Sequence, residues 1–274
     1  MNADLQKRVQ RYGWDKAAAF YENSWQEQLK PAHDLLLKHA DVQKDEHILD
    51  IAAGTGLITF RLAELVGKSG KITATDISDE MVKIGNTLCN LKNTVNIHFE
   101  RMDAENLTCI SNSFDLVTCA LGLMYLPDPD ISAIEMYRVL KPGGRTVVAV
   151  WGSRKKCGWA EIFPIVYSRV KSDVCPMFFN LGESIALRYI FENAGFKDIK
   201  LEKIETKLCY ASAEDACEAS FEGGPVAMAY ARFDEVTKTA ARKEYIDSIS
   251  PFKNGNGYEI PGEFVVCSAV KDKN

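Results

Sequence analysis

From residue 47 onward the chain alternates short apolar runs with segments whose apolar residues recur every three or four positions. HILDIAA (47–53) reads as a strand and LITFRLAELVG (57–67) as a helix. KITATDI (71–77) is the next strand, and DEMVKIGNTLCNLKN (79–93) the next helix, with Ser78 or Asp79 placed to cap it. VNIHFERMDA (95–104) alternates through Val95, Ile97 and Phe99 as a strand does. FDLVTCALGL (114–123) is a continuous apolar run, suited to a central strand buried on both faces. ISAIEMYRVL (131–140) has helical spacing and is stopped by Lys-Pro-Gly-Gly (141–144), after which RTVVAVWG (145–152) returns to strand. Strand–helix alternation of this regularity predicts a parallel sheet with helices on both faces.

Beyond residue 152 the pattern loosens. WAEIFPIVYSRV (159–170) is helix-like, CPMFFNLG (175–182) loop-like, and ESIALRYIFENAGF (183–196) an amphipathic helix ending at Gly195. DIKLEKIETKLCY (198–210) alternates as a strand; 213–250 reads as helix broken near Gly223-Gly224-Pro225; EFVVCSAVKD (263–272) is a late strand. Residues 1–45 read as helices outside the repeating unit. The expected organisation is one domain: a helical cap segment (1–45), a ligand-binding core (46–152), and a stretch (153–274) that completes the sheet and carries lid insertions.

Composition narrows the partners. The 274 residues are 46% hydrophobic and 26% charged with a net charge of −5, and no long basic run favours nucleic acid. The polar start MNADLQKRVQRYGW lacks the apolar centre of a signal peptide, and no apolar run reaches the ~18–20 residues of a membrane span. The eight cysteines contain no C-x-x-C pair, and VTCAL and FVVCSAV suggest buried free thiols. His33, His39, His47 and His98 show no metal-ligand spacing. A cytoplasmic or other reducing compartment is expected, with no metal and no disulfide framework.

Within HILDIAAGTGLITF (47–60), Ala53, Gly54, Thr55 and Gly56 lie between the first strand and its helix. Glycine there tolerates positive φ and lets a ligand approach the backbone, while the helix start offers free N–H groups. A ligand-free tight turn would carry the same residues. Two further acids end the next strands: Asp76, followed by Ile77, and Asp103, followed by Ala104. An acid at the end of the second strand can accept from both hydroxyls of a ribose, and three successive strand ends point to one shared nucleoside. A dinucleotide fingerprint would need glycine where this chain has Thr59, and no phosphate-loop motif occurs.

LDIAAGTG (49–56), TATDIS (73–78), RMDAENL (101–107), FDLVTCALGLMYLPDP (114–129) and RVLKPGG (138–144) together resemble the class I S-adenosylmethionine-dependent methyltransferases, in the branch similar to the ubiquinone/menaquinone C-methyltransferases. The resemblance implies a Rossmann-like, doubly wound seven-stranded sheet, mostly parallel with an antiparallel last strand, plus a helical lid. It implies S-adenosyl-L-methionine as cofactor. Ala52 to Gly56 would wrap its methionine end and ribose, with Asp50 bracing the loop. Asp76 would hold the ribose diol, Ile77 and Met81 would lie against adenine, Asp103 and Ala104 would flank the adenine edge, and Leu121 to Met124 would lie near the sulfonium. This chain has Ala52 where glycine is common, and the N-terminal signature of the quinone enzymes is not evident, which leaves the acceptor open.

Methyl transfer needs an aligned nucleophile and a dry site more than a covalent catalyst. The candidate groups near the methyl are Tyr21 and Tyr125, with Trp25 beside Tyr21. Aromatics in 1–30, 153–182 and 211–260 (Trp14, Trp159, Phe163, Tyr167, Phe178, Phe179, Phe221, Tyr230, Phe233) would line a pocket for an apolar or aromatic small molecule, or form the cap's own core. The competing classes are a nicotinamide-dependent oxidoreductase and a non-catalytic nucleoside-binding protein.

Overall fold

The computed structural model describes residues 3–170, 178–183 and 185–273. It opens with one long helix, α1 (Ala3–Ala40), which carries Pro31 in its interior. The core then runs β1 (His47–Ile51), α2 (Thr59–Val66), β2 (Lys71–Asp76), α3 (Asp79–Lys92), β3 (Ile97–Arg101), β4 (Phe114–Ala120), α4 (Pro129–Val139) and β5 (Leu140–Trp151). The remainder is α5 (Ile162–Tyr167), α6 (Ala186–Asn193), β6 (Lys197–Tyr210), α7 (Ala213–Cys217), α8 (Ala227–Tyr230), α9 (Glu235–Ile249), the two-residue β7 (Lys253–Asn254) and β8 (Gly257–Val270).

The sheet order is β3-β2-β1-β4-β5-β8-β6, with β7 paired to β8 off that path. The strands from β3 to β5 pair in parallel, in register Leu49↔Thr73 and Leu49↔Val117 about β1. β8 runs antiparallel between β5 and β6. The expected seven-stranded, mostly parallel sheet is therefore present, and the small β7 hairpin raises the count to eight. The chain reverses hand at β1, where the order turns from β1-β2-β3 to β4-β5, so the loops after β1 and β4 diverge and leave a crevice.

Local chemistry sets the boundaries. Ser78, not Asp79, caps α3: its hydroxyl accepts from Met81 N at 3.1 Å. Asp128 caps α4, and Pro129 occupies its first turn, where a missing N–H costs nothing. Ile48, Leu49, Leu116, Val117, Val147 and Val148 are fully buried, as a doubly covered central sheet requires. The edge strand β6 is mostly exposed and studded with Lys200, Glu202, Lys203, Glu205 and Lys207, charges that discourage further strand pairing.

Three expectations are corrected. The N-terminal segment is one helix rather than several. Strand β5 begins at Leu140 and passes through Lys-Pro-Gly-Gly instead of starting after it. β8 begins at Gly257, six residues before the expected start, because Pro261 and Gly262 interrupt its apolar pattern without ending its pairing to β6. The thiols Cys119 and Cys267 are buried and free, while Cys209 is exposed; Cys175 and the start of its loop lie outside the described residues.

Candidate functional site

At the C-terminal ends of β1, β2 and β4, beneath α1, lies a cavity of ≈ 960 Å³ counted out to its opening. Two non-glycine residues adopt left-handed backbone at its floor: Ala52 (φ 53°) after β1 and Leu121 (φ 61°) after β4. Such strain on two neighbouring strand ends marks a place where loop shape is over-determined by its surroundings. Gly122 makes the crossing possible, since a Cβ there would overlap the Ala52 methyl. Gly54 (φ 57°) is held by its N–H, which donates to Asp76 Oδ2 at 2.9 Å.

Asp76 is the polar centre of this floor. Its other oxygen accepts from Ser78 N at 2.9 Å. Burial pushes its carboxyl up to about 6, against the pull of the Ser78 and Gly54 amides. Ile77, Met81, Met102 and Ala104 supply apolar wall around it. Asp103 also lines the cavity, but as half of an ion pair with Lys7, which reaches down from α1.

Asp50 is placed differently. It is fully buried inside the sheet and accepts from Thr59 Oγ1 at 2.6 Å and Thr118 Oγ1 at 2.8 Å, tying the start of α2 and the middle of β4 to β1. Burial pushes it up to about 6, opposed by those two hydroxyls. Asp50, Ala53, Thr55 and Gly56 are not on the cavity wall. Ala53 packs on the far side with Ala74, Cys89 and Phe99, Thr55 is fully buried, and Gly56 abuts the rings of Phe60 and Phe99.

The roof is one face of α1. Lys7, Gln10, Trp14, Tyr21, Trp25 and Leu29 line the cavity at helical spacing. Tyr21 lies over Gly54, and burial, with the Asp76 charge second, raises its phenol well above the ordinary range. It can donate a hydrogen bond at neutral pH but cannot serve as a base. Tyr125 lines the cavity and packs edge-on against Trp14 (5.1 Å) and Phe178 (5.2 Å). The far wall is aromatic: Trp151 at the end of β5 stands 4.8 Å from Trp159, and Trp25 lies 6.2 Å from both. Pro225 closes the rim.

Ala52, Gly54, Asp76, Ile77, Met81, Asp103, Ala104 and Leu121 thus converge with Tyr21 and Tyr125 on one space. Sequence reading missed Lys7, Gln10, Leu29, Met102, Ala120, Leu126, Pro127, Trp151 and Pro225 there. The α1 members carried a signal, the spacing 7, 10, 14, 21, 25, 29. Of the expected lid aromatics, Trp14 and Trp159 reach the cavity; Phe163, Phe178, Phe179 and Phe221 are buried in packing instead. Among the described residues no group of acid, thiol and imidazole side chains is arranged to hold a metal. No helix among them is long and apolar enough to cross a membrane.

A doubly wound sheet with acids or strained residues at four strand ends defines a nucleoside-binding α/β protein. Residues 26–212 match the model of the ubiE/COQ5 methyltransferase family, and the chain belongs to that family. It is 33% identical over 190 residues to the ubiquinone/menaquinone biosynthesis C-methyltransferase UbiE of Pseudoalteromonas translucida, across 68% of this chain and 74% of that one. It is 34% identical over 193 residues to the demethylmenaquinone methyltransferase of Staphylococcus haemolyticus, across 62% and 77% respectively. Phosphoethanolamine N-methyltransferase 2 of Haemonchus contortus, solved with S-adenosyl-L-methionine, shares the fold at a TM-score of 0.58 and 17% identity, over 88% of this chain and 52% of that one. The protein is an S-adenosyl-L-methionine-dependent methyltransferase acting on a small molecule.

Proposed function

We propose that the acceptor is a planar, apolar aromatic molecule of the hydroquinone type, held against the Trp25, Trp151 and Trp159 wall. The observation that carries this is that the wall and the strand-end loops belong to the same cavity. The relatives named for ubiquinone, menaquinone and demethylmenaquinone chemistry support the same acceptor class.

The residues present fit the cofactor. A buried, ionisable Asp76 with spare lone pairs suits a diol, and Ile77, Met81 and Ala104 suit a flat base. Ala52, Gly54 and Leu121 would line the path of its amino-acid arm, and Asp103 its adenine edge. Asp50 holds the loops in shape without touching the ligand. When bound, S-adenosyl-L-methionine supplies a methyl group on a sulfonium. The roof of Trp14, Tyr21 and Trp25 excludes water from the approach line. Tyr21, kept neutral, donates rather than accepts. The acceptor would take that methyl group on an electron pair of its own and give up a proton. Among the described residues no lining carboxylate lies in the aromatic half, which suits an acceptor that brings a readily lost proton, as a hydroquinone does.

Purified protein with S-adenosyl-L-methionine should methylate benzo- and naphthohydroquinones, read by product mass and by NMR of the methylated position. Turnover confined to amines such as phosphoethanolamine would overturn the reading.

A further inference from the structure

Between residues 5 and 20 of α1 the exposed positions are Leu5, Arg8, Tyr12, Lys16, Ala19 and Phe20. Steps of three and four place them on one face of the helix, a stripe about 22 Å long. None of the six lines the cavity, which lies under the opposite face. Leu5, Tyr12 and Phe20 are 43%, 50% and 37% exposed, so three large apolar side chains stand in water along that stripe. The one acid in the same span, Asp15, turns to α3 instead, accepting from Ser78 Oγ and Glu80 N. Arg8 and Lys16 have no carboxylate partner among the described residues, whereas exposed cations further along α1 are paired, Lys30 with Asp34 and Lys38 with Glu202. The stripe also lies outside residues 26–212, so membership of the family does not account for it.

We propose that this face of α1 is a membrane-docking surface that lies on anionic phospholipid. Apolar side chains with free cations between them, on a chain whose net charge is −5, complement a bilayer surface of that sign: the stripe enters the acyl boundary and the cations meet phosphates. A second copy of the chain fits the face poorly. An antiparallel pairing centred on Tyr12 would set Arg8 against Lys16, bringing like charges together. The other face of the same helix roofs the cavity, so docking brings the site to the bilayer. The inference goes beyond the acceptor reading and does not rest on it.

The test is flotation of the full-length protein with vesicles of pure phosphatidylcholine and of equal parts phosphatidylcholine and phosphatidylglycerol. Binding to the anionic vesicles should be about thirtyfold tighter than to the neutral ones, two cations near the surface each contributing about fivefold. Raising the salt should release the native protein. Arg8→Gln with Lys16→Gln should lose the preference, and Leu5→Gln with Tyr12→Gln should weaken binding to both kinds of vesicle. None of these side chains lines the cavity, so both variants should bind S-adenosylhomocysteine as the native protein does. No flotation with the anionic vesicles, or binding that neither variant alters, overturns the proposal. So does a dimer in sedimentation velocity that Tyr12→Gln dissolves while vesicles are ignored, since the face then belongs to a second copy. Methylation of soluble hydroquinones, measured without vesicles, tests the acceptor reading separately, and either can fail while the other stands.

Discussion

Lys7 Nζ stands 2.8 Å from Asp103 Oδ2 and 2.6 Å from Glu105 Oε2, so the first turns of α1 are pinned to the residues just past β3. Burial opposes the Lys7 charge, but the two carboxylates outweigh it and its pKa is raised. Arg11 pairs with Asp79, and Asp15 accepts from Ser78 Oγ at 2.6 Å and Glu80 N at 3.1 Å. The roof is thus fastened along one side by polar contacts to β3 and α3. Partly exposed pairs of this kind are worth about 0–1 kcal/mol each. Replacing Lys7 by Met should leave the melting temperature nearly unchanged but speed cofactor release several-fold, as followed by stopped-flow tryptophan fluorescence. High salt should mimic the substitution in the native protein. An unaltered release rate would show that the roof does not gate the site.

Cofactor affinity should depend on pH through Asp76. Its carboxyl titrates at about 6, and only the ionised form accepts freely from a diol. Binding should be near its maximum above neutrality and about tenfold weaker one unit below that value. Calorimetric titration across this range checks it, and Asp76→Ala should abolish both the affinity and its pH dependence. A flat profile in the native protein would remove Asp76 from the diol.

The stability of the ligand-free fold should run the opposite way. Asp50 and Asp76 are both raised from 3.8 to about 6, so the folded state holds their protons more tightly than the unfolded chain. Stability from this source is greatest below the unfolded value and is lost as pH rises through about 6. Asp50→Asn keeps partners for the hydroxyls of Thr59 and Thr118, which can donate or accept, and removes the buried charge. The variant should melt above the native protein at about pH 7.5 and converge with it near about pH 4.5. A lower melting point at both pH values would mean that the charge itself stabilises the brace.

Gly122 and Ala52 should be coupled. A methyl at 122 would overlap Ala52 and sit 3.0 Å from Cys119 Sγ, so Gly122→Ala should cost about 1–3 kcal/mol. Ala52 itself holds a φ of 53°, which glycine adopts without strain. Ala52→Gly should therefore be neutral or stabilising alone and should rescue G122A in the double variant. Additive losses in denaturant unfolding would refute the coupling.

The strands and helices from β1 to β5 were legible because each carries its own period and punctuation. Asp76 and Asp103 could be placed at strand ends for the same reason. What the sequence concealed is non-local. Trp151 reads simply as the last residue of a strand, and nothing adjacent announces Trp159 or Trp25 as its neighbours. Lys7 looks like an ordinary surface charge until α1 is seen to cross the β3 end. The α1 face was spread over many turns and diluted by Ala17, Ala18 and Ala32, all buried, so the segment read as several helices rather than one roof. Asp50 and Asp76 look alike in sequence, each closing or nearly closing a strand. Only the register separates brace from ligand contact: Asp50 lies beside Ala74, two residues below Asp76 on the same face and so within the sheet rather than at its end.

The bond from Trp25 to the Gly223 carbonyl joins residues 198 positions apart. Both lie outside the stretch 26–212 that matches the family. The same holds for Lys7, Gln10, Trp14, Tyr21 and Pro225 on the cavity rim. The shared stretch thus carries the strand ends, and the flanking stretches meet over it in a seam. Grafting both flanks together onto a relative, with the Trp25–Gly223 bond intact, is the minimal exchange that would move the roof as one piece while the relative's strand ends stay as they are.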